Sequence, residues 1–372
     1  MILTTHTGSL PRPTDLQDMM LRYDAGQFDD VAVLRGRIAS ATAEVVRRQA
    51  DIGIDVLNDG EYGKVSYSGY VKERLSGFGG EPRERNLADA EFPDWVRPYR
   101  PQVRYPTNNG PVEVRDASGV RRDVDNLRTA LEGVSRAGAF MSAASPGVID
   151  TFMPTTYYGS DEEYLQALGA AMRDEYRAII DAGFVLQVDC PDLAMSRTMG
   201  RFASLSDAEF VDVARMHVRV LNAALEGLPR ERVRLHLCWG NFAGPHIHDI
   251  PLASILDVAL SANVGALSFE AANPRHAHEW QVFRSVDLPQ DLVLIPGVID
   301  SCTTYVEHPD LVAERLGHFV EIVGEDRVMA STDCGFGTSV GPRDVPPSIA
   351  WAKLSAMVEG ARRASGRLVT AG

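Results

Sequence analysis

At 372 residues, 45% of them hydrophobic and with glycine and proline in ordinary amounts, the chain can bury a large core and is neither disordered nor fibrous. Its 37 basic and 51 acidic residues leave a formal charge of -14, and no basic block or aromatic-basic stripe offsets it, which argues against a nucleic-acid partner. Met1-Ile2-Leu3-Thr4-Thr5-His6 carries neither the basic segment nor the apolar run of a signal peptide, and no stretch has the length of a membrane span, so a cytoplasmic protein with no membrane partner is expected. In a reducing compartment Cys190, Cys238, Cys302 and Cys334 are expected to be metal ligands, site residues or core rather than disulfides.

Taken in order, Ile2-Leu3-Thr4-Thr5 reads as a short strand, and Gly8, Pro11 and Pro13 keep the residues after it in a loop. Leu34, Ile38, Val45 and Val46 recur at helical spacing and predict a helix over 32–52, stopped by Gly53. A second strand over 54–58 ends in Asp59-Gly60-Glu61. From 76 to 137 the texture changes: Pro, Arg and aromatics crowd together between 92 and 100, and β-branched runs at 112–115 and 120–124 flank Ala117-Ser118-Gly119. We expect a long insertion after strand two with a β-hairpin in it, serving as a surface excursion or as a lid.

Beyond 137 the alternation is regular. Strands are predicted at 139–142, 184–189, 233–238, 266–270, 292–297 and 328–332, separated by helices over 161–182, 207–225, 252–263, 275–284 and 311–323, with a closing helix over 347–364. Short apolar strands alternating with helices mean βαβ units and a parallel sheet. With the strands at residues 2 and 54 the count reaches eight, which closes a (β/α)8 TIM barrel over the whole chain, 1–372. An open doubly wound sheet would need a dinucleotide or phosphate loop, and Cys334-Gly335-Phe336-Gly337-Thr338 is too weak to count as one.

A parallel barrel carries its chemistry at the C-terminal ends of its strands, and the polar residues fall there. Ser9 follows strand one, Glu61 follows strand two, Asp189 ends strand four, and His236 and Cys238 end strand five; Glu270 ends strand six, Asp300 and Cys302 follow strand seven, and Asp333 and Cys334 follow strand eight. Singly each has an ordinary explanation, as a small core cysteine or a helix-capping carboxylate; together they share one face of the barrel. His236 and Cys238, two apart on a strand, project from the same face toward one small object. One imidazole, two thiolates and a carboxylate from His236, Cys238, Glu270 and Cys334 form a ligand set for zinc, and their scatter over the barrel favours a catalytic ion over a structural one. Three anionic ligands leave that complex net negative, a poor Lewis acid for water, but a thiol bound there stays nucleophilic; thiol alkylation is expected before hydrolysis. Glu61, Asp189 and Ser9 form a second set, able to hold a substrate ammonium group or, alternatively, to pair with arginines such as Arg12 or Arg197. Rim aromatics Phe152, Tyr157, Tyr158 and Trp239 could stack on a flat donor or simply pack.

At these residues the chain resembles the catalytic barrel of cobalamin-independent methionine synthase. The matches are Thr-Gly-Ser-x-Pro at Thr7 to Pro11, Gly60-Glu61, Gln-x-Asp at Gln187 to Asp189, His-x-Cys at His236 and Cys238, Glu270, Gly-Val-x-Asp at Gly297 to Asp300, and Asp333-Cys334-Gly335. The resemblance implies a (β/α)8 barrel with Zn2+ on His236, Cys238, Glu270 and Cys334, the homocysteine backbone at Ser9, Glu61 and Asp189, and methyltetrahydrofolate as methyl donor. This sequence does not include the second, N-terminal barrel of the full-length synthase. Its Asp-Glu-Pro after strand four is Asp189-Cys190-Pro191 here, and the histidine expected two residues after Asp300, a proton donor for the folate, is Cys302. Val306-Glu307-His308-Pro309 and Cys238-Trp239-Gly240-Asn241 look more like the short single-barrel branch, which includes the epoxyalkane:coenzyme M transferases, whose zinc activates a thiol that opens an epoxide. The expectation is a zinc-dependent transferase that alkylates a small thiol, with methyl transfer to homocysteine first and addition of a thiol to an epoxide as the alternative. Asp300 and Cys302 are assigned the catalytic positions, the donor is folate-type or an epoxide, and a homo-oligomer is left open.

Overall fold

Each of the eight predicted strands forms, and each is followed by helix or helical turn before the next begins. The structure, a computed structural model, describes residues 1–82, 92, 94, 95 and 103–370. In chain order it runs β1 (Leu3–Thr4), α1 (Thr14–Asp24), α2 (Val31–Asp51), β2 (Val56–Leu57), α3 (Val71–Arg74), α4 (Ser118–Ala130) and β3 (Gly138–Ala144). There follow α5 (Pro146–Phe152), α6 (Asp161–Asp181), β4 (Val185–Asp189), α7 (Asp207–Ala224), β5 (Val233–Leu237), α8 (Leu252–Leu260) and β6 (Ala266–Glu270). The chain ends with β7 (Val293–Ile299), α9 (Pro309–Val323), β8 (Met329–Thr332) and α10 (Pro347–Thr370).

The strands are ordered β1-β8-β7-β6-β5-β4-β3-β2, every neighbouring pair parallel. β1 and β2 meet through the Asp55 N–H on the Thr4 carbonyl (3.1 Å) and the Thr5 hydroxyl on the Val56 carbonyl (3.2 Å), which brings the ring almost to closure. This is the expected (β/α)8 TIM barrel. Local chemistry sets where the helices start: Ser145, Ser160 and Ser206 each accept a backbone N–H of the first turn, Pro146 stands at the start of α5, and Glu209 completes a capping box with Ser206. Among the described residues no helix is long and apolar enough to cross a membrane, and all four cysteines are free.

The hairpin expected at 112–124 is corrected by the structure. Residues from Ser118 onward are helical, because Val120, Val124 and Leu127 recur with the period of a helix and bury one face. α4 packs against α2 and α6, within the outer ring of helices, and the antiparallel Leu75–Val114 bridge is the one trace of extended pairing in this segment among the described residues. A buried ion cluster fastens the segment: Arg74 of α3 pairs with Asp123 of α4 and, at 2.8 Å, with Glu175 of α6. The run at 92–100, expected to belong to a surface excursion or a lid, lies mostly outside the described residues. The helix expected over 275–284 is reduced to a 3-10 segment, Glu279–Arg284.

Candidate functional site

The C-terminal ends of β5 and β8 bring three donor atoms together. His236, Cys238 and Cys334 are buried, and one atom of each lies within 4.8 Å of the others. The Cys238 and Cys334 sulfurs are 3.7 Å apart. Two sulfurs sharing a tetrahedral zinc at about 2.3 Å would stand about 3.8 Å apart, so the spacing suits that ion. The His236 Nδ1 is 3.2 Å from Asp189 Oδ1, which also accepts from the Gln187 amide at 2.7 Å. With Nδ1–H donated to a carboxylate, the imidazole presents its Nε2 lone pair, the arrangement by which ligating histidines are commonly oriented.

Glu270, the fourth expected ligand, is not part of that cluster. Its Oε1 accepts the Trp239 N–H (2.8 Å), and its Oε2 accepts from Asn273 (2.7 Å) and pairs with Arg275 (3.1 Å), at the edge of a pocket it shares with Asn241, Cys302 and Cys334. Asp333 accepts the N–H groups of Ala271, Ala272 and Asn273 and the Asn273 side-chain amide at 2.8–2.9 Å, so it staples the β6 and β8 ends together and aims Cys334.

Across the barrel mouth Glu61 sits at φ 59°, a left-handed conformation uncommon outside glycine and often held at functional positions. Its Oε1 accepts the Ser142 hydroxyl at 2.6 Å, whereas its Oε2 is buried and has no hydrogen-bond partner among the described residues. Burial, opposed by Lys64 and reinforced by the Asp189 carboxylate, pushes the Glu61 carboxyl up to about 7. Gly8 makes room for it: a Cβ there would fall 2.5 Å from Glu61 Oε1, and the φ of +126° suits glycine. Ser9 lies against Gly335, where any Cβ would collide with the Ser9 hydroxyl, so Ser9 packs on the loop of Cys334.

Among the described residues neither Arg12 nor Arg197 makes a salt bridge to Glu61 or Asp189. Arg12 spends its guanidinium on the carbonyls of Glu61 (2.8 Å), Lys64 (2.9 Å) and Gly337 (2.5 Å), and Arg197 pairs with Asp207 at 2.9 Å. Arg12 is therefore a clamp on the loops after β1, β2 and β8.

After β7, Asp300 is buried and turned into its own loop: Oδ1 accepts the Cys302 N–H (2.8 Å) and Oδ2 the Thr303 hydroxyl (3.0 Å). The Cys302 thiol, pushed up by burial and the Asp300 carboxylate, points at Asn241 Oδ1 (3.1 Å), which also accepts from Ser301 at 2.8 Å. Of the rim aromatics, Trp239 is buried and stacks on His276 (4.1 Å), and Tyr158 stacks on Tyr164 (5.5 Å); both are packed against protein. Sequence reasoning missed Asn273, Arg275 and the hub of Asp249, which accepts from His246, His276 and Arg275 at 3.1–3.2 Å. The signal for Asn273 and Arg275 was their place just past a strand end; Asp249, deep in the β5–α8 loop, had none.

The family model described as the catalytic domain of cobalamin-independent synthase matches residues 2–99 and 158–363. A methionine synthase of Thermococcus kodakarensis is 25% identical over 96% of this chain and 91% of that protein. The 2-hydroxypropyl-CoM lyase of Xanthobacter autotrophicus is 24% identical over 100% of this chain and 96% of that protein. In fold, the chain matches a B12-independent methionine synthase from a Shewanella species, solved with selenomethionine, at a TM-score of 0.75 and 19% identity, covering 100% of both chains.

Proposed function

The chain belongs to the cobalamin-independent synthase family, and from that premise we propose that it is a zinc-dependent transferase that methylates the sulfur of homocysteine to give methionine. His236, Cys238 and Cys334 would hold the metal with Glu270 as fourth ligand, and zinc bound there would keep an incoming thiol deprotonated and nucleophilic. The observation that carries the choice of thiol is the buried, unpartnered Glu61 Oε2. An ammonium group brings N–H donors to that oxygen and to Asp189, whereas the sulfonate of coenzyme M would bring an anion to two carboxylates, with the Arg12 Nη groups already bonded to loop carbonyls. Ser9 would add its hydroxyl, which lies against Gly335 in the loop of Cys334, and Ser142 and Lys64 fix and balance the Glu61 carboxylate.

On the donor side Cys302 keeps its proton at Sγ, directed at Asn241, and Asp300 shapes the turn that presents it. A thiol pushed up by burial gives up a proton less readily than the histidine it replaces, so the donor reading stands as a methyl carrier, folate-type or other, whose leaving group does not depend on that proton. The second reading, addition of a thiol to an epoxide, is supported by the end-to-end likeness to the Xanthobacter lyase.

A screen of thiols against donors, with products read by mass spectrometry, tests the proposal. Homocysteine and coenzyme M are each offered methyltetrahydrofolate with one or several glutamates, other methyl carriers, and epoxides. Methionine formed from homocysteine is the expected product. Alkylated coenzyme M from an epoxide, with homocysteine inert, would move the assignment to the second reading; no product from either thiol would overturn both.

A further inference from the structure

The loop after β7 is pinned from behind by a charge pair that the proposed reaction does not use. Lys353 of α10 is 0% exposed and Glu307 is 3% exposed, although Glu307 follows Tyr305 and Val306, exposed at 57% and 47%. The Lys353 ammonium lies 2.9 Å from Glu307 Oε2 and 3.0 Å from Oε1, and it also donates to the Tyr305 carbonyl. Glu307 Oε1 in turn accepts the Asp300 backbone N–H at 2.9 Å. From Asp300 the connection runs through its carboxylate to the Cys302 N–H (2.8 Å), and from the Cys302 thiol and Ser301 hydroxyl to Asn241. The Asn241 amide closes it on the Gly335 carbonyl at 2.7 Å, one residue past Cys334.

Burying a cation and an anion costs free energy that apolar side chains of the same volume would not incur, so stability alone is a weak reason to keep such a pair. What an apolar pair could not supply is an acceptor for the Asp300 N–H. We infer that Glu307 and Lys353 are positioning residues that fix the turn at 300–303 and thereby hold Cys302 and Asn241 against the loop of Cys334. Lys353 makes the carboxylate tolerable in the interior and orients it; Glu307 carries the contact. The pair shapes the wall of the pocket whichever thiol and donor bind there.

Two charge-free variants separate positioning from packing. Lys353→Met with Glu307→Leu removes the acceptor, and Lys353→Met with Glu307→Gln restores an amide oxygen for the Asp300 N–H. Both are compared with wild type for melting temperature and for the rate at which iodoacetamide modifies Cys302, followed on the Cys302 peptide by mass spectrometry. The Leu variant is expected to alkylate at Cys302 about 10-fold faster or more while still melting cooperatively, with the Gln variant returned most of the way to wild type. Equal alkylation in the folded Leu variant and wild type would overturn the inference. Hydrogen exchange on the wild-type protein supplies a reading that needs no variant: the backbone amides of Asp300 and Cys302 are expected to exchange as slowly as those of β7, and exchange at the rate of an open loop would overturn the inference equally.

Discussion

Glu61 shows how much a single residue gains from its neighbours. A carboxyl pushed up to about 7 by burial is largely protonated below that pH and ionised above it, and only the ionised form attracts an ammonium group. The KM for an amino thiol should therefore fall as the pH rises through about 7, while kcat at saturating thiol changes less. Glu61→Gln should remove that dependence and raise KM by about 10- to 100-fold, the cost of losing one charged hydrogen-bond partner. Initial-rate kinetics from pH 6 to 8.5 check both; a flat KM in the wild type would count against an ammonium at this oxygen. At the metal cluster, Cys238→Ser and Cys334→Ser should each purify with well under one zinc per chain while keeping the fold, read by metal analysis and melting. The identity of these residues was legible in the sequence from strand-end position and from the His-x-Cys spacing. The empty side of Glu61 was not, because it depends on Ser142, Gly8 and Asp189, which three other strands deliver.

Among the elements, α4 is where periodicity misleads. Val112-Glu113-Val114 and Val120 to Val124 look like two strands about a turn, but Val124 and Leu127 extend the second run at helical spacing, and the packing against α2 and α6 decides in favour of the helix. The β5–α8 loop is the opposite case, with no regular structure and a dense charge network. Burial pulls the His276 imidazolium down, but the Asp249 and Glu279 carboxylates outweigh it and push His276 up to about 9. Because this folded value lies above the unfolded one of 6.5, the stabilisation is complete below pH 6.5 and is lost as the pH rises through about 9. Its size is on the order of 3 kcal/mol. Denaturant unfolding at pH 6.5 and pH 9.5 should show a loss of stability in the wild type that is mostly absent in His276→Gln. An equal loss in both would place the pH dependence elsewhere. Where α9 and α10 cross, a Cβ at Gly360 would run into Val312, so Gly360→Ala should lower stability by about 1–3 kcal/mol in the same assay.

At the scale of the molecule the barrel was readable because its eight strands are short, apolar and regularly spaced by helices, a pattern with few other solutions. That reading also located the site, since chemistry in such a barrel gathers at one end of the strands. The sequence could not give how the end is assembled: Arg12 of the β1 loop gripping the loops after β2 and β8 by their carbonyls, Asp333 joining β6 to β8, and Lys353 reaching from α10 to the turn after β7. These are contacts between distant parts of the chain, with no local pattern to announce them. The proposal puts the sulfur of an amino thiol on the metal held by His236, Cys238 and Cys334 and its ammonium at the open oxygen of Glu61. X-ray absorption at the zinc edge tests that placement directly by counting sulfurs around the metal. The zinc-loaded protein should show two, from Cys238 and Cys334, rising to three on addition of homocysteine; a count that stays at two with homocysteine bound, or a protein that takes up no zinc, would contradict it.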